Sequence, residues 1–447
     1  MKKFVTTLKN IWGIEELRNR IMFTILLLFV YRLGSHIVLP GIDPNALSDP
    51  SGQNGLLGMI NMFAGGAFNN ASIFALGIMP YITASIAMQL AQIAIPKIQK
   101  MQKEESGRKK IQMYTRYLTV AVTLVQAIGY ITYLRGQNGQ AIFADGPMWV
   151  ILTVIILVTG TLFVMWMGEK ITDRGIGNGT SLLIMAGIIA RFPQNLIQEG
   201  TAKIEGAGGG GILLFLIELV VMVLVVMLIV MLSQAVRRIP INYARRMVGA
   251  SAGNNVGGAR DFIPLKVNSA GVMPIIFAQA IMFLPGILAG QAEPDSFMGQ
   301  LADFTSLPYN LVYFIMVVAF TYLYTAIIMN PQQMSDDLKR NNGFIPGIKP
   351  GSDTANFIGM ILDRITLPGA IFLAFVGIFP GIAAYMGVSQ AFAQFYGGTS
   401  MLIAVQVILD TLQQIESQLL MRHYDGLMET GRIGGRQSNA PVSVPRG

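Results

Sequence analysis

The sequence predicts an all-α integral membrane protein with ten transmembrane helices, and three observations carry this prediction. The 447-residue chain is 53% apolar and only 13% charged, whereas about a quarter of the residues in an ordinary soluble domain are charged. Ten apolar stretches approach or exceed the roughly 20 residues that a helix needs to cross a bilayer. The basic residues are concentrated in alternate connections between these stretches, which is typical of a multi-pass membrane protein.

The ten predicted spans differ in how apolar they are. We place them at 21–40, 71–95, 113–134, 148–168, 180–198, 211–234, 268–290, 308–330, 365–387 and 398–421. Several contain proline or polar residues, among them Pro80, Pro274, Gln406 and Asp410. Polar groups at membrane depth are costly unless they face protein or water. Spans with polar faces therefore predict a bundle around a pathway.

The distribution of Lys and Arg predicts the orientation of the chain. Of the 32 basic residues, 28 fall on one side of the predicted spans. The opposite loops hold Arg135, Arg191 and Lys203, and Arg32 lies within the first span. Because basic loops remain in the cytoplasm, we expect both termini to be cytoplasmic.

Several classes of chemistry find no support in the sequence. The chain has no cysteine and only two histidines, His36 and His423, which argues against disulfides, thiol catalysis and zinc sites. No Ser/His/Asp arrangement and no phosphate-binding loop is apparent. Asp410 and Glu218 are intramembrane acids without a second acid for general acid–base work. We therefore predict no enzymatic activity, no cofactor and no metal.

Three segments outside the spans attract attention. The connections 235–268 and 331–364 are longer and more basic than a tight turn requires. They are either solvated loops that determine topology or a docking platform for an acidic or RNA-bearing partner. Residues 55–69, GLLGMINMFAGGAFN, are too short to cross. This segment is either interfacial or re-entrant, and at membrane depth it must be covered by protein or line a cavity.

A family resemblance rests on motifs along nearly the whole chain. ASIFALGIMPYITASIAMQL (71–90) and WMGEKITDRGIGNGTSLLI (166–184) are similar to the two signatures of the SecY family. Further similar stretches follow in family order, namely EESGRKKIQMYTRY, RRIPINYARR, PLKVNSAGVMPIIFA, NPQQMSDDLK, GFIPGIKPG and FYGGTSMLIAV. A single glycine-rich turn is common, but eight ordered matches on ten oriented spans are specific. The chain thus resembles the channel subunits of bacterial protein translocases.

The resemblance implies a particular architecture. Two inverted five-helix halves, 1–200 and 201–430, close like a clamshell around an hourglass pore, with a hinge near GAGGGG. Residues 431–447 form a disordered tail by composition. The waist of the pore is a ring of apolar side chains, which the family motifs assign to Ile78, Ile82, Thr180, Ile184, Ile276 and Ile403.

The residues themselves give partial support for the ring. Ile78 and Ile82, and likewise Thr180 and Ile184, are spaced so that each pair shares a helix face. A narrow apolar collar excludes water and ions, although the same residues are also compatible with an ordinary core or a lipid-facing surface. Thr180 departs from the usual apolar residue and either wets the ring or bonds a carbonyl one turn back.

The resemblance also assigns a plug and a lateral gate. The 55–69 segment matches the plug helix that closes the pore, with Asn61, Met62, Phe63, Gly65 and Gly66 carrying the match. The gate lies between the second and third spans on one side and the seventh and eighth on the other. Polar candidates for that seam are Thr83, Gln89, Gln126 and Gln279, which are equally compatible with interhelical bonds that do not gate.

The basic loops correspond to the family's docking surface for the motor ATPase SecA and for ribosomes. The candidates are Arg237, Arg238, Arg245, Arg246, Lys266, Lys349 and Arg364. Lys349 stands where the family more often has arginine and lacks that residue's bidentate fork. The family further implies the small membrane subunits SecE and SecG.

The resulting functional hypothesis is a conduit in the bacterial plasma membrane. Unfolded secretory polypeptides with signal sequences pass through the pore, and transmembrane segments leave sideways into membrane lipid. SecA or the ribosome supplies the driving force. A secondary transporter is the main alternative, because such proteins also have inverted repeats, but it predicts polar groups converging at mid-depth. A scaffold for other membrane proteins is a second alternative, and it tolerates polar replacements in the ring.

Overall fold

A computed structural model describes residues 12–47, 61, 63–138, 141–143, 146–206, 211–243, 260–288, 296–303, 305–393, 395–396 and 398–430. These residues are mostly helical. Helices α1 to α7 are Glu15–Gly34, Met79–Ala94, Pro96–Lys103, Glu105–Asn138, Pro147–Arg174, Gly179–Gly206 and Gly211–Gln234. Strands β1, β2 and β3 are Val236–Tyr243, Arg260–Lys266 and Gly343–Phe344. Helices α8 to α14 are Met273–Leu288, Phe297–Ala302, Leu307–Ile328, Pro331–Arg340, Ser352–Tyr385, Gln390–Ala393 and Thr399–Thr430.

Six helical stretches of the described chain are long and apolar enough to cross a membrane. They are Glu105–Gly136, Pro147–Arg174, Gly179–Glu205, Gly211–Gln234, Leu307–Arg340 and Ser352–Tyr385. The other four predicted spans overlap α1, α2, α8 and α14. Helices α2 and α8 have 16 residues each, while α1 and α14 carry charged or amide side chains within their apolar stretches.

Helices α2 and α12 begin far from the starts that the sequence predicts for their spans. Helix α2 begins at Met79 and not near 71, because left-handed backbone at Ala71 (φ 44°) and Gly77 (φ 54°) forms turns before it. Pro80 then occupies the first turn of α2, where its missing N–H costs nothing. Helix α12 begins at Ser352, inside the predicted loop 331–364, which also contains α11.

A small antiparallel sheet corrects the all-α prediction. Strand β1 is central and pairs with β2, with Ile239 opposite Ile263, and with β3. Ile239 and Ile241 alternate with exposed residues along β1, as expected of a sheet with one covered face. That face is buried against α11 and α12, including Leu338 and Ile358. The predicted connection 235–268 is therefore partly a folded platform.

Two large apolar clusters form the interior of the helical part. The first joins α1, the turns before α2, and helices α4, α5 and α6 with Ile403 and Val407 of α14. The second joins α7, α8, α10 and α12 with Leu402 and Val405 of the same helix. Helix α14 thus contributes to both clusters, and the candidate site lies within the first.

Candidate functional site

Most of the predicted ring residues belong to one buried cluster. Ile78, Ile184 and Ile403 are 3%, 5% and 2% exposed. They come from the start of α2, from α6 and from α14, so residues far apart in sequence share one apolar core. Ile82 and Ile276 are half-buried and pack against the same cluster. The structure thus brings five of the six predicted ring residues into one apolar assembly, which disfavours water.

Thr180 is bound locally at the start of α6. Its hydroxyl donates to Asn178 Oδ1 at 2.7 Å, and its backbone N–H donates to the same oxygen at 3.2 Å. Asn178 therefore satisfies N–H groups at the helix N-terminus, as capping residues do. The expected alternative of a bond to a carbonyl one turn back is wrong, because the capping side chain is nearer in sequence and takes the hydroxyl.

The predicted plug residues that the structure describes form a compact buried turn. Asn61 and Phe63 are buried, and Gly65 and Gly66 adopt left-handed backbone with φ of 64° and 93°. The Gly66 N–H donates to the Asn61 carbonyl at 2.9 Å, and the Asn69 N–H donates to Asn61 Oδ1 at 3.1 Å. Only glycine adopts this backbone without strain. Met62 lies outside the described residues.

Three helices hold this turn in place. Arg32 Nη1 of α1 donates to the Gly65 carbonyl at 2.7 Å. A Cβ on Gly65 would lie 2.8 Å from Gly187 Cα of α6, so the two backbones are in close contact. The Tyr130 hydroxyl of α4 donates to the Phe68 carbonyl at 2.6 Å. Sequence reasoning missed all three partners, although Arg32 was visible as a charge within a span.

One predicted gate residue joins helices from the two sides of the seam. The Tyr324 hydroxyl of α10 donates to Gln89 Oε1 of α2 at 3.2 Å, and Gln89 Nε2 donates to Ser85 Oγ at 3.3 Å. The Thr83 hydroxyl donates to the Met79 carbonyl within α2. Gln126 on α4 and Gln279 on α8 are half-buried. Tyr324 was not predicted, because nothing distinguishes it from the other tyrosines of an otherwise apolar helix.

Three of the predicted docking residues, Arg237, Arg238 and Lys266, lie on the sheet. Arg237 and Arg238 are exposed on β1, and the Arg238 guanidinium lies 4.8 Å from the centre of the Phe262 ring on β2. Lys266 ends β2, and its Nζ donates to Gln413 Oε1 of α14 at 3.4 Å. Lys349 and Arg364 are exposed. Arg245 and Arg246 lie outside the described residues.

Glu218 and Asp410, the two acids predicted to lie within spans, both have partners. Glu218 Oε1 on α7 lies 3.0 Å from Lys203 Nζ on α6, and Lys203 also donates to the Gly387 carbonyl at 2.8 Å. Glu199, 1% exposed, accepts from the backbone N–H and the hydroxyl of Ser389.

Asp410 accepts from Gln406 at 2.9 Å. Burial, and then the carboxylates of Glu218 and Glu199, raise the pKa of Tyr396 in the connection before α14. Glu218, Glu199 and Asp410 therefore each have a partner within the protein.

Comparison with known proteins decides the family. A family profile described as SecY matches residues 72–412, most of the chain. The chain belongs to the SecY family. The resemblance inferred from the motifs is thereby confirmed, and with several membrane-length helices the chain is a multi-pass membrane protein.

Relatives of this SecY-family chain match over nearly their whole length. Protein translocase subunit SecY of Streptomyces galbus is 41% identical over 443 residues, covering 95% of this chain and 100% of the relative. The SecY subunit of Aquifex aeolicus is 41% identical over 428 residues, covering 93% and 98%.

Solved structures share the fold. One described as a protein-conducting channel has a TM-score of 0.63 at 18% identity, covering 93% of this chain and 95% of that chain. Sec61 in a canine ribosome–channel complex has a TM-score of 0.59 at 17% identity, covering 92% and 94%. The SecY-family fold therefore extends over most of this chain.

Proposed function

We propose that this chain is the central protein-conducting channel of a Sec translocon. It passes unfolded secretory polypeptides across the membrane and releases transmembrane segments laterally into lipid. The observation that carries the proposal is one buried cluster that unites isoleucines of α2, α6 and α14 beside a glycine turn held by three helices. A narrow apolar collar with a removable obstruction blocks ions at rest and still yields to a flexible chain. The full-length relatives are named as translocase subunits.

The finer architecture belongs to the same proposal. Ten spans form two inverted halves, 1–200 and 201–430, around an hourglass pore with both termini in the cytoplasm of a bacterium. Support comes from the overlap of every predicted span with a helix and from the charge bias of the loops. The bond between Gln89 and Tyr324 supports a lateral gate between α2 and α10, since a polar contact re-forms with water or substrate when the seam opens.

The proposed partners act from outside the chain. SecA or a ribosome drives the polypeptide, and both dock on the sheet that carries Arg237 and Arg238. An exposed basic platform attracts acidic proteins and RNA. Two structural neighbours are ribosome complexes by name, namely Sec61 in a canine ribosome–channel complex and a yeast Ssh1 complex bound to the 80S ribosome. SecE and SecG complete the membrane complex.

A disulfide experiment tests the conduit, and the absence of native cysteine makes it clean. A secretory precursor with one cysteine is stalled midway through export in cells that carry Ile184→Cys. The matched control is Val220→Cys on α7, where the side chain is 65% exposed on the outer face. We expect oxidation to join the precursor to position 184 and not to position 220. Export without a bond at 184 would remove the ring assignment and favour a transporter.

A further inference from the structure

We propose that Arg32 is the latch that holds the plug segment, Asn61 and residues 63–70, in its seat by binding the Gly65 carbonyl. This inference rests on the proposed channel function and names the residue that regulates its opening. The guanidinium donates to the Gly65 oxygen at 2.7 Å across 33 positions of sequence. The same Nη1 lies 3.5 Å from Ser35 Oγ.

The location of Arg32 at the end of α1 does not by itself explain why its side chain contacts the plug segment. Arg32 lies in the last turn of α1, where the helix dipole favours a positive charge. The dipole effect does not require the side chain to contact another segment, yet the Arg32 side chain reaches the Gly65 carbonyl. A charged side chain within a membrane span is expensive and is retained where it pairs with other charges or with backbone carbonyls. In the part of the chain that the structure describes, no ion pair involves Arg32, so apart from the adjacent Ser35 its side-chain partner is the plug carbonyl.

A second arginine, Arg191, lies against the plug segment and limits how tightly that segment is held. A Cβ on Gly66 would lie 2.7 Å from Arg191 Nη2 and 2.8 Å from Arg191 Nε, so this guanidinium lies directly against the turn. A Cβ on the adjacent Gly65 would lie 3.4 Å from Arg32 Nη1, so the two like-charged guanidinium groups flank the same turn. Two cations that flank one turn repel each other, and the Gly65 carbonyl that Arg32 binds offsets part of that repulsion. Removal of the plug segment therefore leaves Arg32 in need of a new acceptor while Arg191 remains nearby.

A translocating chain supplies that acceptor whatever its sequence. An unfolded polypeptide carries one carbonyl oxygen per residue, and each is an obligatory hydrogen-bond acceptor. Arg32 can exchange the Gly65 oxygen for an oxygen of the passing backbone, so the latch opens without leaving a half-buried charge unpaired. Because the recognised group is the peptide carbonyl, the exchange is independent of side-chain type, which suits a channel with many substrates.

The test measures plug release directly. Ala67 is completely buried in the plug segment, so a single Ala67→Cys in this cysteine-free chain is protected from a membrane-impermeant maleimide added outside the cell. We compare labelling in otherwise unaltered protein with labelling in Arg32→Gln, Arg32→Lys and Arg191→Gln backgrounds. The matched control is Arg135→Gln, an exposed basic residue of α4 whose guanidinium lies over the Trp149 ring of α5.

The latch predicts a graded result. Arg32→Gln should raise the labelling rate about tenfold, the change expected for loss of a hydrogen bond to a charged group. Arg32→Lys should give a smaller rise, because it keeps the charge but loses the planar fork. Arg191→Gln should raise the labelling rate less than Arg32→Gln does. Arg135→Gln should leave the labelling rate unchanged. Export of a precursor with a strong signal sequence, measured in the same cells, shows that each variant is folded and inserted.

The outcomes separate the latch from the channel itself. If Arg32→Gln exports normally and labels like the parent, the latch is wrong. A stalled precursor should also expose Ala67→Cys in the parent protein. Exposure by the precursor without exposure by Arg32→Gln leaves the channel intact and overturns the latch alone. No exposure under either condition, together with no disulfide at position 184, overturns the channel.

Discussion

The plug segment and the three-stranded sheet use arginine in opposite ways. Beside the plug segment the Arg32 guanidinium of α1 donates to one backbone oxygen of that segment, and the glycine turn leaves no room for a Cβ. On the sheet Arg237 and Arg238 are exposed, and the Arg238 contact with Phe262 leaves most of its donors open to solvent. Arg32 acts through one specific contact, whereas Arg237 and Arg238 act through their charge.

The difference sets how each region responds to substitution. A buried contact with one partner is lost completely when the partner or the space for it is removed. An exposed basic surface acts collectively, so single changes have small effects that depend on salt. Substitutions in the plug segment should therefore be decisive one at a time, whereas substitutions on the sheet should matter through their number.

The largest effect is expected from Gly65→Ala. The new Cβ would lie 2.8 Å from the backbone of Gly187, which cannot rotate away, and the φ of 64° adds strain of about 1–2 kcal/mol for any L-residue. The seated plug should become less stable, and ion leak through purified channels in liposomes should rise about tenfold or more.

Gly129→Ala is the matched control for this substitution. Gly129 lies in α4 with open space around its Cβ position, so alanine should leave the leak unchanged and favour the helix by up to about 1 kcal/mol. A tight seal in Gly65→Ala would contradict the close seat described for the plug segment.

An intermediate effect is expected from Arg237→Gln combined with Arg238→Gln. Each change alone should weaken binding of SecA or ribosomes a few-fold, on the order of 1 kcal/mol or less, and the double variant should show about the product. The salt dependence of ribosome binding should become shallower, since fewer counterions are released. Binding measured at two salt concentrations checks this, with Arg20→Gln, an exposed arginine paired to Glu16, as the control. A double variant no weaker than either single variant would contradict the collective picture.

The smallest effect is expected at the seam, which is intermediate in character between the two regions. Gln89→Leu or Tyr324→Phe removes one interhelical bond of 3.2 Å, and such bonds in membranes contribute about 0.6 kcal/mol. Escape of a marginally apolar reporter segment into lipid should change by roughly threefold. A double-mutant cycle isolates the pair, and additive effects of the two changes would show that the bond does not hold the seam.

The sequence predicted the helices far better than the contacts between them. Long apolar runs are sufficient to locate spans, and the motifs led to isoleucines that the structure gathers into one cluster. The sheet was missed because β1 contains Pro240 and pairs with strands that lie well beyond it along the chain. The Arg32 latch was missed for a different reason. Its acceptor is a backbone carbonyl, and every residue has one, so no residue type marks the site.

The half-buried ion pair of Lys203 and Glu218 has a consequence for how the protein is made. Glu218 lies in the third turn of α7, the most apolar of the membrane-length helices that the structure describes, and an acidic side chain inside an isolated membrane helix costs up to about 3 kcal/mol at the helix centre. Its counter-ion, 3.0 Å away, is on α6, the helix synthesised immediately before it. Helix α7 therefore becomes a favourable membrane segment once α6 is beside it, and we expect the two to enter the bilayer as a hairpin. Lys203→Leu should then delay membrane integration of a reporter fused after residue 234. Such a delay would mean that the insertion of α7 depends on an ion pair with the helix synthesised before it.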